Sequence, residues 1–348
     1  MFTRGSSCPS KAWSSRPTIW STAGRSAPSS RFTPTGVPWR ADVDIPIDGR
    51  YAGLTVRDVL RGELGFSSNL IKKLKFSEGG ILVDGQFVTV RHVLREGELL
   101  TLGTEDREED VSPYLIPSDL PVQILYEDEW ITAVNKPPDM PAHPSQGHRL
   151  DTLANALAWR YRERIYVFRP VNRLDRDTSG CMLTSNTKDA SYKMYAAMTS
   201  GRIRKEYLAV LDGIPPKKEG TLRSYMRRRP DSVIEREECS PEADGAKEAV
   251  TEYRVIGEAD GHALVAAFPV TGRTHQLRVQ FAGIGCPIAG DSLYGSESPL
   301  IGRHALHSAR TTFPHPMTGE ILTVTAPLPD DMGRLAGSLG LTLPRGLD

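Results

Sequence analysis

Arg173-Leu174-Asp175-Arg176-Asp177-Thr178-Ser179-Gly180 is the stretch on which the rest of the chain turns. Two acids and two bases fall within five positions, and Thr178, Ser179 and Gly180 then let the backbone fold tightly. The apolar Cys181-Met182-Leu183 that follows reads as a strand leading away from a polar loop. A carboxylate held in such a loop between arginines is expected to have a depressed pKa and to stay ionised. That is the state a nucleophile or a base requires at neutral pH. The same octet also reads as a salt-bridged surface turn, and its chemistry alone does not separate the two.

Around this loop, Gln123-Ile124-Leu125-Tyr126, Trp130-Ile131-Thr132-Ala133-Val134, Tyr207-Leu208-Ala209-Val210 and Ala263-Leu264-Val265-Ala266-Ala267-Phe268 read as strands. Residues 152 to 164 and 188 to 198 read as helices. Strands and helices do not alternate strictly. This predicts an α+β unit over residues 120 to 330 with a mixed, largely antiparallel central sheet, and residues 331 to 348 as a tail.

A smaller unit is predicted over residues 44 to 103. Thr55 to Leu60 reads as a short helix, and Ser67 and Ser68 offer N-caps for a second one, Asn69 to Lys75, ended by Gly79-Gly80. Ile81-Leu82-Val83 enters a tight hairpin at Asp84-Gly85, Phe87 to Val90 returns from it, and Leu99 to Leu102 closes the unit. Lys72, Lys73 and Lys75 crowd the second helix, either as a solvated face or as a phosphate-binding one. Residues 104 to 119, acidic and proline-containing, read as a linker.

Residues 1 to 43 are rich in Ser and Arg, and up to residue 40 they hold no Asp or Glu. A disordered segment, a misassigned start and a transit peptide all fit that composition. No apolar run approaches the ~18 residues that would span a bilayer. Lys+Arg and Asp+Glu are both 43, which gives a nucleic-acid partner no support from net charge and leaves open a basic cleft on one face. The four cysteines are far apart, which excludes a cysteine-rich zinc site and suits a reducing cytosol. His304, His307 and His315 lie close together, but no acid or thiol spacing supports a metal there.

The octet resembles the signature of the RluA-type pseudouridine synthases, in which Arg-Leu-Asp-x-x-Thr-Ser-Gly supplies the catalytic aspartate. Further matches follow in order: Val134-Asn135-Lys136-Pro137, His143-Pro144, Lys205-Glu206-Tyr207-Leu208, Thr271-Gly272-Arg273-Thr274-His275-Gln276-Leu277-Arg278, and Leu306-His307-Ser308. The chain departs from the pattern at Asn172, where the family usually has His, and at Asp139, where Gly is common. The smaller unit resembles the S4-type RNA-binding domain, which places its second helix, here with Lys72, Lys73 and Lys75, against RNA.

This resemblance implies a pseudouridine-synthase fold and a base-flipping isomerase that needs no cofactor or metal. It implies Asp175 acting at the ribose, Arg273 pairing with Asp175, Tyr207 against the uracil and Arg173 contacting the nucleotide. Asp177 falls at a variable position and reads as structural. Without the resemblance, Arg273, His275 and Arg278 would read as an exposed basic strand and Tyr207 as a core aromatic. The expected partner is RNA, ribosomal from the large subunit in the first place and transfer RNA in the second, met by a cytoplasmic monomer without a membrane role. A non-catalytic RNA-binding or ribosome-assembly factor is the competing class. A two-carboxylate glycosidase lacks a convincing second acid.

Overall fold

The structure, a computed structural model, describes residues 43 to 343 apart from residues 64, 65, 67, 77, 78, 104, 105 and 107. The expectations for residues 1 to 42 and for Ser67 therefore fall outside the described residues. Strand β1 (Val43–Pro46) is followed by a short helix α1 (Val56–Asp58) that continues as a π turn over Val59–Glu63. Thr55 starts α1 with a capping box: its hydroxyl accepts from the Asp58 N–H while the Asp58 carboxylate accepts from the Thr55 N–H. Helix α2 (Ser68–Phe76) precedes β2 (Ile81–Val83), β3 (Gln86–Phe87) and β4 (Leu99–Leu102).

These strands pair antiparallel in the order β1-β4-β2-β3. Asp84 and Gly85, at φ 50 and 75, make the hairpin turn, because only a pair tolerating positive φ matches the twist of the two strands. The predicted return strand pairs over two residues only, Gln86–Phe87. Val56, Leu60, Ile71, Leu74, Ile81 and Leu100 fill a core of this unit's own.

The larger unit is built on one 11-stranded sheet. Its elements run β5 (Gln123–Glu127), β6 (Ile131–Lys136), α3 (Leu153–Arg160), β7 (Arg169–Pro170), β8 (Ser179–Ser185), α4 (Lys188–Thr199) and β9 (Arg204–Asp212). Then come β10 (Glu219–Arg228), β11 (Arg236–Cys239), β12 (Lys247–Ala259), β13 (His262–Pro269), α5 (Gln276–Gly283), β14 (Leu306–Pro314), β15 (Ile321–Thr325) and α6 (Asp330–Ser338). The strand order is β11-β10-β12-β13-β9-β14-β8-β6-β5, with β7 paired to β8 and β15 to β14.

The α+β class with a mixed, largely antiparallel sheet stands: among the described pairings, β8 with β14 is the parallel one. All seven residues of β8 are buried, as expected of a strand covered on both faces. Among the described residues no helix is long and apolar enough to cross a membrane.

Two boundaries differ from the sequence reading. The described part of residues 331 to 348 is no loose tail: α6 buries Met332, Leu335 and Ala336 in the main core, and Leu341 follows them. The Asp331 carboxylate holds Arg303 at 2.7 and 2.9 Å. The expected linker is strapped down as well. Asp106 pairs with Arg169, Asp110 with Lys188, and the Ile116 carbonyl accepts from the Asn155 side chain at 2.6 Å. Acidic residues that look like a solvated run in sequence thus meet cations from the larger unit.

Candidate active site

The octet forms the turn that feeds β8. The Thr178 N–H donates to the Asp175 carbonyl at 3.1 Å, closing the loop, and Leu174 is buried beneath it. Gly180 sits at φ +110, and a Cβ there would stand 2.3 Å from the Ser308 carbonyl oxygen. Only glycine lets β8 approach β14 this closely. That approach sets the parallel register, His307 opposite Ser179 and Ser308 opposite Gly180. On its other side β14 pairs with β9, with Ser308 opposite Tyr207. The loop bearing Asp175 and the strand bearing Tyr207 are therefore brought together by one intervening strand.

Four buried cationic or imidazole side chains fix the loop. Lys136 is fully buried at the end of β6, and its ammonium donates to the carbonyls of Pro137, Met140 and Arg176 at 2.7 to 2.8 Å. Burial pulls its pKa down to about 7, opposed by the nearby carboxylates of Asp177 and Asp175. Arg303 donates to the Asp177 carbonyl at 2.9 Å. The Thr178 hydroxyl is 2.8 Å from His304 Nε2, and the Ser179 hydroxyl is 2.9 Å from His307 Nδ1. Burial lowers His304 to about 3 and His307 to about 4, so both are neutral imidazoles that serve as hydrogen-bond partners.

His315 instead meets Asp128 at 2.8 Å, so the three histidines do not converge. Asp177 pairs with its neighbour Arg176 at 3.1 Å. Asn172, in the place of the usual His, accepts from the Leu183 N–H at 2.9 Å, while its Nδ2 is buried without a partner among the described residues.

With its backbone held, the Asp175 side chain keeps about a quarter of its surface open (25 %). The guanidinium beside it belongs to Arg278, with Nη1 3.8 Å from Asp175 Oδ2. The expectation that Arg273 fills this role is corrected. Thr271 to His275 form a turn, and the chain then enters α5 rather than a strand. Arg273 is exposed in the turn and its Nε donates to the Glu248 carbonyl at 2.9 Å. Arg278 lies on the first turn of the helix and points inward. Its Nε and Nη2 donate to the two oxygens of Asp291, each at 2.7 Å, leaving Nη1 for Asp175.

Burial pushes the Asp291 carboxyl up, but hydrogen bonds and charge from Arg278 outweigh this and hold it below the usual range. His275 opens α5 in the left-handed region (φ 58), a conformation rare for a side chain of its size. This aims its Nε2 at Asp175 Oδ2, 3.9 Å away, while Nδ1 meets the Tyr294 hydroxyl at 2.7 Å. Burial depresses the His275 pKa against the pull of Asp175, and the helix N-terminus adds its own partial positive charge near that carboxylate.

Tyr207 is buried, and burial raises its phenol well above the ordinary value, with the Asp175 charge adding to the shift. Its ring can present an apolar face and a protonated hydroxyl. Arg173 is exposed, and its charge adds to burial in lowering His143. In the small unit, Lys72 and Lys75 are exposed with Arg57 and Arg61 around a cavity of about 380 Å³. The Lys73 side chain lies outside the described residues.

The fold brings together Asp175 and Tyr207, both named from the sequence, with Arg278, His275 and Asp291, which sequence reasoning did not single out as a unit. The signal was present: His275 and Arg278 are three residues apart, the spacing that shares one face of a helix.

The RNA pseudouridylate synthase family matches residues 131 to 283, which carry β6, β8, β9 and all of α5. The RNA pseudouridine synthase YjbO of Bacillus subtilis (strain 168) is 40% identical over 287 residues, 81% of this chain and 98% of that protein. The chain belongs to the RNA pseudouridine synthase family. The ribosomal large subunit pseudouridine synthase D of Xanthomonas campestris pv. campestris is 33% identical over 277 residues, 75% of this chain and 81% of that protein. Among solved structures, human RNA Pseudouridylate Synthase Domain Containing 4 shares the fold, with TM-score 0.53 and 24% identity over 64% of this chain and 95% of that one. The enzyme is thus an isomerase, and its substrate is RNA.

Proposed function

We propose that this synthase isomerises specific uridines of large-subunit ribosomal RNA, with Asp175 acting at the ribose, as nucleophile at C1′ or as base at C2′, of a nucleotide flipped out of the RNA. Its relatives named as ribosomal large subunit synthases favour that target. The observation that carries the assignment of Asp175 is the partly open carboxylate beside the Arg278 guanidinium, close enough to Tyr207 for its charge to act on the phenol.

A stacked base cannot turn over in place, so the uridine must leave the stack, at a few kcal/mol. Asp175 then acts at the ribose while the N1–C1′ bond breaks. The uracil rotates against Tyr207 and rebonds through C5, and as C5 gives up its proton N1 takes one, so the product is an isomer of the uridine. Nothing is oxidised and no group enters or leaves. Arg278, 3.8 Å away, pairs with the carboxylate and aims it. Arg173, exposed at the rim, contacts the nucleotide. The unit of residues 44 to 103 acts as an S4-like module whose Lys72, Lys73 and Lys75 engage phosphates. The enzyme works as a cytoplasmic monomer.

Pseudouridine mapping of total RNA by carbodiimide labelling, with and without the gene, provides the test. Loss of signal at one or a few uridines of large-subunit RNA is expected, restored by the wild-type gene and not by Asp175→Asn. Sites lost in transfer RNA would reassign the target. Restoration by Asp175→Asn would remove Asp175 from the chemistry.

A further inference from the structure

Lys205 is a cation without a partner among the described residues. It lies on β9 two residues before Tyr207, and alternation along a strand puts both side chains on one face of the sheet. Glu206 between them turns to the other face and meets Arg310 at 3.5 Å. The Lys205 ammonium lies 3.8 Å from the point where a Cβ would stand on Gly272, beside the turn that carries His275 to Asp175. Among the described residues it has no hydrogen bond and no ion pair. Burial lowers its pKa, with no carboxylate to offset it. The backbone N–H groups of Gly272, Thr274 and His275 in the same turn likewise have no acceptor among the described residues.

The buried cations of this region are satisfied within the protein: Lys136 by three carbonyls, Arg278 by Asp291 and Arg303 by Asp331. A half-buried ammonium without an anion is unfavourable, so a complement brought by the substrate is the natural partner. Two residues along a strand span about 7 Å, a distance a single nucleotide bridges between its base and its phosphate.

We propose that Lys205, with the free N–H groups of the turn at Gly272, seats a phosphate flanking the flipped uridine, and so fixes the ribose against Asp175. Lys205 is here a binding and positioning residue, and the inference rests on the RNA-modifying reading above. A phosphodiester fits because it offers a point anion to a point cation and accepts from backbone N–H groups at once.

The probe is a synthetic RNA hairpin carrying the uridine found by mapping, made unmodified and with an uncharged methylphosphonate linkage on either side of that uridine. Turnover of the unmodified hairpin by wild type checks the activity itself, independently of Lys205. Neutralising one of the two linkages should weaken wild-type binding by about tenfold. Lys205→Met should lose about as much on the unmodified hairpin and nothing further on that neutral one. Its slope of log affinity against log salt should fall by roughly 0.7 to 0.9, one phosphate's worth. Lys205→Arg should recover most of the affinity. Additive losses in Lys205→Met and the neutral RNA, or an unchanged salt slope, would overturn the proposal. If Lys205→Met does not fold, the wild type decides alone: indifference to both neutral linkages rejects the phosphate seat.

Discussion

Replacing Arg278 separates its role from that of Arg273 most sharply. Arg278→Met strands Asp291, whose side chain has 0% exposure, and breaking a buried pair in this way costs about 3 to 5 kcal/mol of stability. Its effect on catalysis follows from the second contact. At 3.8 Å and an effective dielectric near 20, two unit charges interact by about 4 kcal/mol. The open quarter of the Asp175 surface admits water, which brings the contribution to about 2 kcal/mol at the low end.

At 1.36 kcal/mol per tenfold, the single-turnover rate should fall roughly 30- to 1,000-fold. To divide stability from chemistry, Arg278→Met is combined with Asp291→Asn. The amide oxygen still accepts from the N–H groups of Leu293 and Tyr294, now bonded at 3.1 and 3.2 Å, and no buried charge remains. The double variant should regain thermal stability and not rate. The assay is tritium release from RNA labelled at uracil C5, at saturating enzyme, with Arg273→Met as control. Arg273 is exposed and bonded to one carbonyl, so its loss should change this rate by no more than about threefold. A rate for Arg273→Met as low as that of Arg278→Met, or a double variant with wild-type rate, would refute the reasoning.

Two further outcomes test the frame around the site. Gly180→Ala places a methyl group 2.3 Å from the Ser308 carbonyl at a φ of +110, so the β8–β14 pair must part; the urea midpoint should report a loss of about 3 kcal/mol or more, and an unchanged midpoint would show that the approach is dispensable. His307 falls from 6.5 in the unfolded chain to about 4 in the fold, so its contribution is complete above pH 6.5 and is lost as pH falls toward 4, by about 3 kcal/mol in all. Denaturation followed from pH 7 to 4.5 should show His307→Gln losing less stability on acidification than wild type, and parallel curves would count against a buried neutral imidazole.

The legible parts of this molecule were the local ones. The capped start at Thr55, the Asp84-Gly85 hairpin and the helices at residues 153 to 160 and 188 to 199 declare themselves through capping and periodicity, as does the Asp175 turn through Thr178 and Gly180. The last helix was legible and overlooked: Asp330 and Asp331 open it, and Met332, Leu335 and Ala336 keep a helical face. The segment from Gly272 to Arg278 was harder. Its switch from turn to helix occurs at a left-handed histidine, with no glycine there to announce it, so an arginine in the turn looked as suitable as one in the helix.

What no local pattern contains is the parallel contact of β8 with β14, made across more than a hundred residues of chain. It places the octet one strand away from Tyr207, and so it makes an ion-paired turn into a site. The direction of Arg278 is non-local for the same reason. Two of its three nitrogens are taken by Asp291, so the aim of the third at Asp175 is set by a carboxylate thirteen positions along the chain. The loop's other supports, Lys136 and Arg303, are likewise cations anchored on acceptors from elsewhere in the fold. A site in which Lys136, Arg278 and Arg303 are each matched internally gives meaning to one that is not. The ammonium of Lys205, unpaired among the described residues, on the face of Tyr207 and next to the turn of His275, is the charge this pocket holds for its substrate.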